Sequence, residues 1–128
     1  MEFTLQTTLN ASAQEVYEAW LNSESHTEMT GGDAEIHNAV GASFTAWDGY
    51  IEGRNLALEA NKRIVQSWRT SEFEEGDEDS QIEILLEESQ GQTNLTLIHT
   101  KLSEHGEQYI NGWKEHYFAP MKAYFNEN

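Results

Sequence analysis

Residues 2 to 9 alternate strictly. Phe3, Leu5, Thr7 and Leu9 share one face, and Glu2, Thr4, Gln6 and Thr8 share the other. A period of two predicts a strand with one buried face. The pattern then changes. Ser12 and Glu15 have the spacing of a capping box, in which each side chain satisfies the other residue's orphan backbone N–H. Val16, Tyr17, Trp20 and Leu21 follow at helical spacing, so a short amphipathic helix is expected to about Leu21. Residues 22 to 33 are polar and end in Gly31-Gly32-Asp33, which reads as loop or broken helix closed by a turn.

From there the chain reads as a meander. Strands are predicted at 42–47, 50–60, 63–70, 81–88 and 93–102, with Ile82, Ile84 and Leu86 inward on the fourth of these. Asp48-Gly49, Asn61-Lys62 and Gln90-Gly91-Gln92 supply the turns. In the first of them Asp48 and Gly49 are expected to take the positive φ of a type I′ hairpin. The last segment, 107–126, carries Ile110, Trp113, Tyr117, Met121 and Tyr124 at steps of three and four, widened by Phe118 and Phe125. It predicts a long helix, kinked at Pro120, where an N–H is missing and the ring crowds the preceding turn. Gly112 is expected to let this helix approach the sheet closely. Strands and helices segregated in this order predict an α+β domain, with a curved antiparallel sheet around the C-terminal helix. Such wrapping favours a cavity between sheet and helix, where small-molecule sites tend to lie.

Composition narrows the partners. The 128 residues hold 7 Lys+Arg against 23 Asp+Glu, a net charge of -16. One domain over 1–128 is expected. Phosphate neutralisation drives nucleic-acid binding, so this balance argues against nucleic acid and against anionic membrane surfaces. No apolar run approaches the ~18 residues of a membrane span. Cysteine is absent, which removes disulfides and thiolate metal sites. The first ten residues lack the basic and apolar regions of a signal peptide, and a cytoplasmic setting is expected.

Candidate chemistry concentrates in the aromatics. If Ile64, Gln66 and Trp68 face inward, Arg69 points outward. Trp20, Phe44, Trp68, Trp113, Tyr117 and Met121 are the expected lining of the cavity. Gln66 joins them as a buried amide that must find a hydrogen bond, either to a ligand or to the opposing helix. Of the five histidines none forms HExxH, and no GxSxG elbow or phosphate loop occurs, so no metal, cofactor or catalytic residue is assigned. His99 and Glu52 are the groups to inspect for acid–base work. The run Glu72, Glu74, Glu75, Asp77, Glu78 and Asp79 reads as a solvated acidic loop, or as a docking patch for a basic partner.

Several segments together resemble a known family. They are Phe44-Thr45-Ala46-Trp47-Asp48-Gly49-Tyr50-Ile51-Glu52-Gly53, then 58–69 with Ile64-Val65 and Trp68-Arg69, then 93–97, then Gly112-Trp113-Lys114-Glu115-His116-Tyr117-Phe118. In order and spacing the set is similar to the domain named after the activator of Hsp90 ATPase. The resemblance implies the helix-grip fold of the START and Bet v 1-like superfamily. It also implies a binding role, either for a small apolar ligand or for an Hsp90-type chaperone. Some superfamily members resemble cyclases or hydrolases on hydrophobic substrates, which keeps an enzyme as a further alternative to the non-enzymatic reading. The co-chaperone's separate N-terminal domain is not part of this sequence, so ATPase activation is not expected of it alone.

Overall fold

The computed structural model describes residues 1–104 and 106–126; His105 lies outside them. Its elements run β1 (Phe3–Leu9), α1 (Ala13–Trp20), α2 (Ser23–Thr30), β2 (Ser43–Ala46), β3 (Ile51–Glu59), β4 (Arg63–Thr70), β5 (Ser80–Ser89) and β6 (Gln92–Thr100). A C-terminal helix closes the chain, in three parts: α3 (Gln108–Trp113), a π turn (Lys114–Phe118) and α4 (Ala119–Asn126). The six strands form one antiparallel sheet in the order β1-β6-β5-β4-β3-β2. This is the expected α+β arrangement. Buried residues of the sheet's inner face and of all the helices merge into one hydrophobic cluster. Among the described residues no helix is long and apolar enough to cross a membrane.

Local chemistry accounts for the elements. Ser12 caps α1, accepting from the Glu15 N–H while Glu15 reaches back to the Ser12 N–H. The segment read as loop or broken helix contains a regular helix. Asn22 caps α2 by accepting from the Ser25 N–H, and Gly31 ends it in a left-handed conformation. The helix was obscured because its inward residues are His26, Met29 and Thr30, of which only Met29 is apolar. Gly32 makes room for an indole, since a Cβ there would stand 2.4 Å from the Trp47 ring.

The strands face as expected. In β4, Ile64, Gln66 and Trp68 are buried and Arg69 lies on the other face. Gly53 in β3 lets the strands meet, since a Cβ there would lie 1.9 Å from the Ser67 carbonyl.

The C-terminal helix differs from the expectation. Its buried positions are Tyr109, Trp113, Tyr117, Phe118, Met121 and Phe125, while Ile110 and Tyr124 are half-buried flanks. Tyr109, Trp113, Tyr117, Met121 and Phe125 repeat every four residues. A helix of 3.6 residues per turn would carry such a row steadily around its axis. The π turn, with its i→i+5 bonding, winds less tightly and limits that drift. Pro120 does not end the helix. The carbonyl its ring would crowd belongs to His116, which lies inside the π turn. Gly112 corrects a further expectation: a Cβ there would meet nothing within 4 Å, so close helix approach is not its role.

Candidate functional site

Between the sheet and the C-terminal helix lies a partly open cavity of about 440 Å³. Its sheet side is Trp68 of β4 with Tyr50 and Ile51 at the start of β3. The helix side is Tyr109, Gly112, Trp113 and Tyr117, and Trp47 from the β2–β3 turn closes a third side. Gln108, Asn111, Glu115 and His116 also border it. Gly112, with no side chain, leaves part of this border open.

Of the sequence-expected lining, Trp68, Trp113 and Tyr117 meet here. Trp20, Phe44, Gln66 and Met121 do not. They are buried in the packed core and do not border the cavity. Trp20 is tied to the cavity wall through stacking, with its ring 6.3 Å from Trp113 and 5.1 Å from Tyr117. Tyr109, Tyr50 and Trp47 were missed as lining. Tyr109 sits one residue off the stripe drawn through Ile110, and Trp47 and Tyr50 were read as strand ends flanking the Asp48-Gly49 turn, with no inward role.

Hydrogen bonds explain why buried polar groups remain in this aromatic core. Gln66 bonds protein, not cavity. Its Oε1 accepts from the Trp20 indole at 3.3 Å, and its Nε2 donates to Asn55 Oδ1 at 2.8 Å. Asn55 in turn donates to the carbonyls of His37 and Ala39.

A second chain runs through His99. The Trp113 indole donates to His99 Nδ1 at 3.0 Å, His99 Nε2 lies 2.9 Å from Ser80 Oγ, and Ser80 donates to the Trp68 carbonyl at 2.6 Å. These directions agree only if Nε2 carries the proton and the ring is neutral. Burial pushes the His99 pKa down to about 3, which matches. Both ring nitrogens are therefore committed, and His99 does not border the cavity. Glu52 is exposed on the sheet's outer face.

His26 repeats the theme. Its Nδ1 donates to the Trp20 carbonyl at 2.8 Å, and its Nε2 accepts from the Tyr117 hydroxyl at 3.0 Å. Burial lowers its pKa, partly offset by the bond to that carbonyl. Burial likewise raises the pKa of Tyr117. At the other end of the cavity, Tyr109 bonds Thr70 Oγ1 at 2.6 Å, and the Tyr50 hydroxyl donates to the Glu72 carboxylate. Burial first, and that carboxylate second, hold the Tyr50 phenol protonated.

Trp47 stands apart. The β2–β3 turn places Trp47 at φ 51°, Asp48 at 59° and Gly49 at 90°. Asp48 and Gly49 take the expected positive φ, and the left-handed run begins one residue earlier, at Trp47: the Gly49 N–H bonds the Ala46 carbonyl and the Tyr50 N–H bonds the Trp47 carbonyl, two successive turns. A left-handed backbone at a bulky residue costs roughly 1–2 kcal/mol. The Trp47 indole N–H is also the one buried side-chain polar atom without a partner among the described residues.

The acidic loop is held in place. Arg69 reaches across it to the carbonyls of Glu74 and Asp77 and to Asp79 Oδ1 at 2.7 Å, with its guanidinium 5.4 Å from the Phe73 ring centre. Phe73 packs edge-on against Trp68. Glu72, Glu74, Glu75, Glu78 and Asp79 are exposed around this anchor, with Asp77 half-buried.

Comparison with known proteins places the chain. A family model described as "Activator of Hsp90 ATPase homolog 1-like protein" matches residues 10–126. A Dictyostelium discoideum protein named "Activator of 90 kDa heat shock protein ATPase homolog" is 27% identical over 124 residues, 95% of this chain but 32% of that protein. An uncharacterised protein of Schizosaccharomyces pombe is 26% identical over 92% of this chain and 35% of its own length. The chain thus spans about one third of these curated relatives. Among solved structures, an HSP90 activator from Plasmodium falciparum superimposes with a TM-score of 0.89 at 20% identity, covering 98% of this chain and 96% of that one. The Aha1 dimer of Colwellia psychrerythraea does so at 0.81 and 16% identity, covering 98% and 96%. At these identities the structures speak for the fold.

Proposed function

The chain belongs to the Activator of Hsp90 ATPase homolog 1-like family, and from that premise we propose that it is a non-enzymatic binding domain that takes a small, largely apolar ligand in the cavity between sheet and helix. The observation that carries this reading is the aromatic cavity itself. Its volume of about 440 Å³ falls in the range of small-molecule sites. The non-enzymatic part is supported by the two groups singled out for acid–base work. Glu52 faces away from the cavity, and His99 has no free nitrogen. The cytoplasmic setting expected of a cysteine-free acidic chain goes with this reading.

The test uses a neutral apolar fluorophore, N-phenyl-1-naphthylamine. Saturable enhancement is expected with the native protein. Gly112→Leu should abolish it while circular dichroism stays native, because a side chain at that position grows into open space at the cavity border. No enhancement, or an undiminished signal in Gly112→Leu, would sink the proposal.

Family membership favours a second reading, contact with an Hsp90-type chaperone through the exposed acidic loop. The Dictyostelium relative's name supports it. An amide NMR titration with Hsp90 at two salt concentrations would show localised shifts at Glu72–Asp79 that weaken with salt. Reversing charges in that loop without changing affinity would remove it from the contact.

A further inference from the structure

We infer that the ligand of this cavity is an organic cation, an amine or quaternary ammonium on an apolar body. This rests on the reading that the cavity binds a small molecule, and it names the ligand's chemical class. Three observations converge. The first is the wall. Trp68 and Tyr109 meet at 84° with centres 5.0 Å apart, so they form a corner and not a stack. Trp113 continues that wall 5.5 Å from Trp68, with Tyr117 a further 4.8 Å on. These rings are largely buried against one another, but with the more exposed Trp47 and Tyr50 they make the cavity border aromatic, and aromatic π density attracts alkylammonium groups.

The second is what is missing from the border. Among the described residues, no lysine or arginine lines the cavity. Of the seven cations in the chain, the three arginines are used elsewhere. Arg69 holds the acidic loop, Arg63 pairs with Glu83, and Arg54 bonds the Gly41 carbonyl. An anionic ligand would be desolvated here with no counter-charge, which disfavours it.

The third is the sign of the surroundings. Glu115 borders the opening, and Glu72 backs the Tyr50 ring through its hydroxyl. The whole chain carries -16, and a low-dielectric cleft focuses a field of one sign on ligands of the other.

The experiment is a comparison of isosteres. Benzyltrimethylammonium and neopentylbenzene share one shape, with nitrogen replaced by carbon in the second. Each is titrated into 15N-labelled protein at pH 8, and the indole N–H signals of the tryptophans are followed. The ammonium compound should bind at least tenfold more tightly. Glu115→Gln should weaken it about threefold and leave neopentylbenzene unchanged, and salt should act in the same direction as that substitution. Equal or tighter binding of neopentylbenzene would overturn the cation inference while sparing the apolar-ligand reading. Saturation by neither compound, with no fluorophore binding, would overturn both.

Discussion

Two indoles border the same cavity in opposite conditions. Trp113 lies on the helix wall, 2% exposed, with helical backbone and its N–H bonded to His99. Trp47 lies on the turn wall, half-buried, with left-handed backbone and its N–H unpaired. The first is fixed from every side by packing and hydrogen bonds. The second is held by shape alone, between Gly32 and the His116 ring 5.6 Å away. The cavity thus has one wall whose indole is hydrogen-bonded into the core and one whose indole is held by packing without a hydrogen bond.

Substitutions and pH separate the two walls. Trp113→Ala should be the largest effect, a loss of about 3–5 kcal/mol in urea unfolding, because it removes a core ring. A loss under about 1 kcal/mol would mean the helix wall is no firmer than the turn.

Acid should come next. In the folded protein His99 and His26 have pKa values below the unfolded value, so the unfolded chain binds more protons. Their contribution is full above pH ~6.5 and falls as pH drops toward the folded pKa, which for His99 is about 3. Each histidine gives a slope of up to about 1.4 kcal/mol per pH unit. Melting curves between pH 7.5 and 5 should show the loss, and His99→Asn, which cannot titrate, should flatten it. An unchanged slope in that variant would remove His99 from the effect.

A matched pair follows. Trp113→Phe leaves His99 Nδ1 without its donor and should cost about 1–3 kcal/mol beyond the change in ring size. Trp47→Phe deletes an N–H that has no partner and should be neutral or slightly stabilising. Equal losses in the two variants would erase the distinction between the walls. The smallest effect is expected from Gly112→Ala, a gain of about 0.5–1 kcal/mol from helix propensity, since the added methyl meets nothing.

Most of the fold was legible because strand periodicity, the Ser12–Glu15 box and the turn residues agree with one another. All six strands appear within a few residues of their expected bounds. What was hidden has physical causes. Helix α2 buries a histidine and a threonine, so no apolar period announces it. Tyr109 was displaced by its neighbour Ile110 because a regular 3.6-residue period cannot hold 109, 113, 117, 121 and 125 on one face. The cavity was legible only in part. Trp68, Trp113 and Tyr117 could be read as inward, but whether an inward aromatic meets space or another side chain depends on packing, as Trp20 and Phe44 illustrate. Trp47 gave no signal, since nothing in a sequence predicts a bulky residue at positive φ.

The π turn at Lys114–Phe118 has one more consequence. It works as a phase adjuster between two ends of a helix with different duties. Tyr109, Trp113 and Tyr117 face the cavity, while Met121 and Phe125 are buried in α4, which packs against β1 and α2. Deleting one residue inside the turn would leave Trp113 and Met121 seven positions apart, which a regular helix of 3.6 residues per turn places within about 20° of one face. Met121 and Phe125 would stay inward, while Glu115, His116 and Tyr117, which lie in the turn and border the cavity, would be displaced. The wide winding absorbs the extra residue, and so a single continuous helix aims both ends inward.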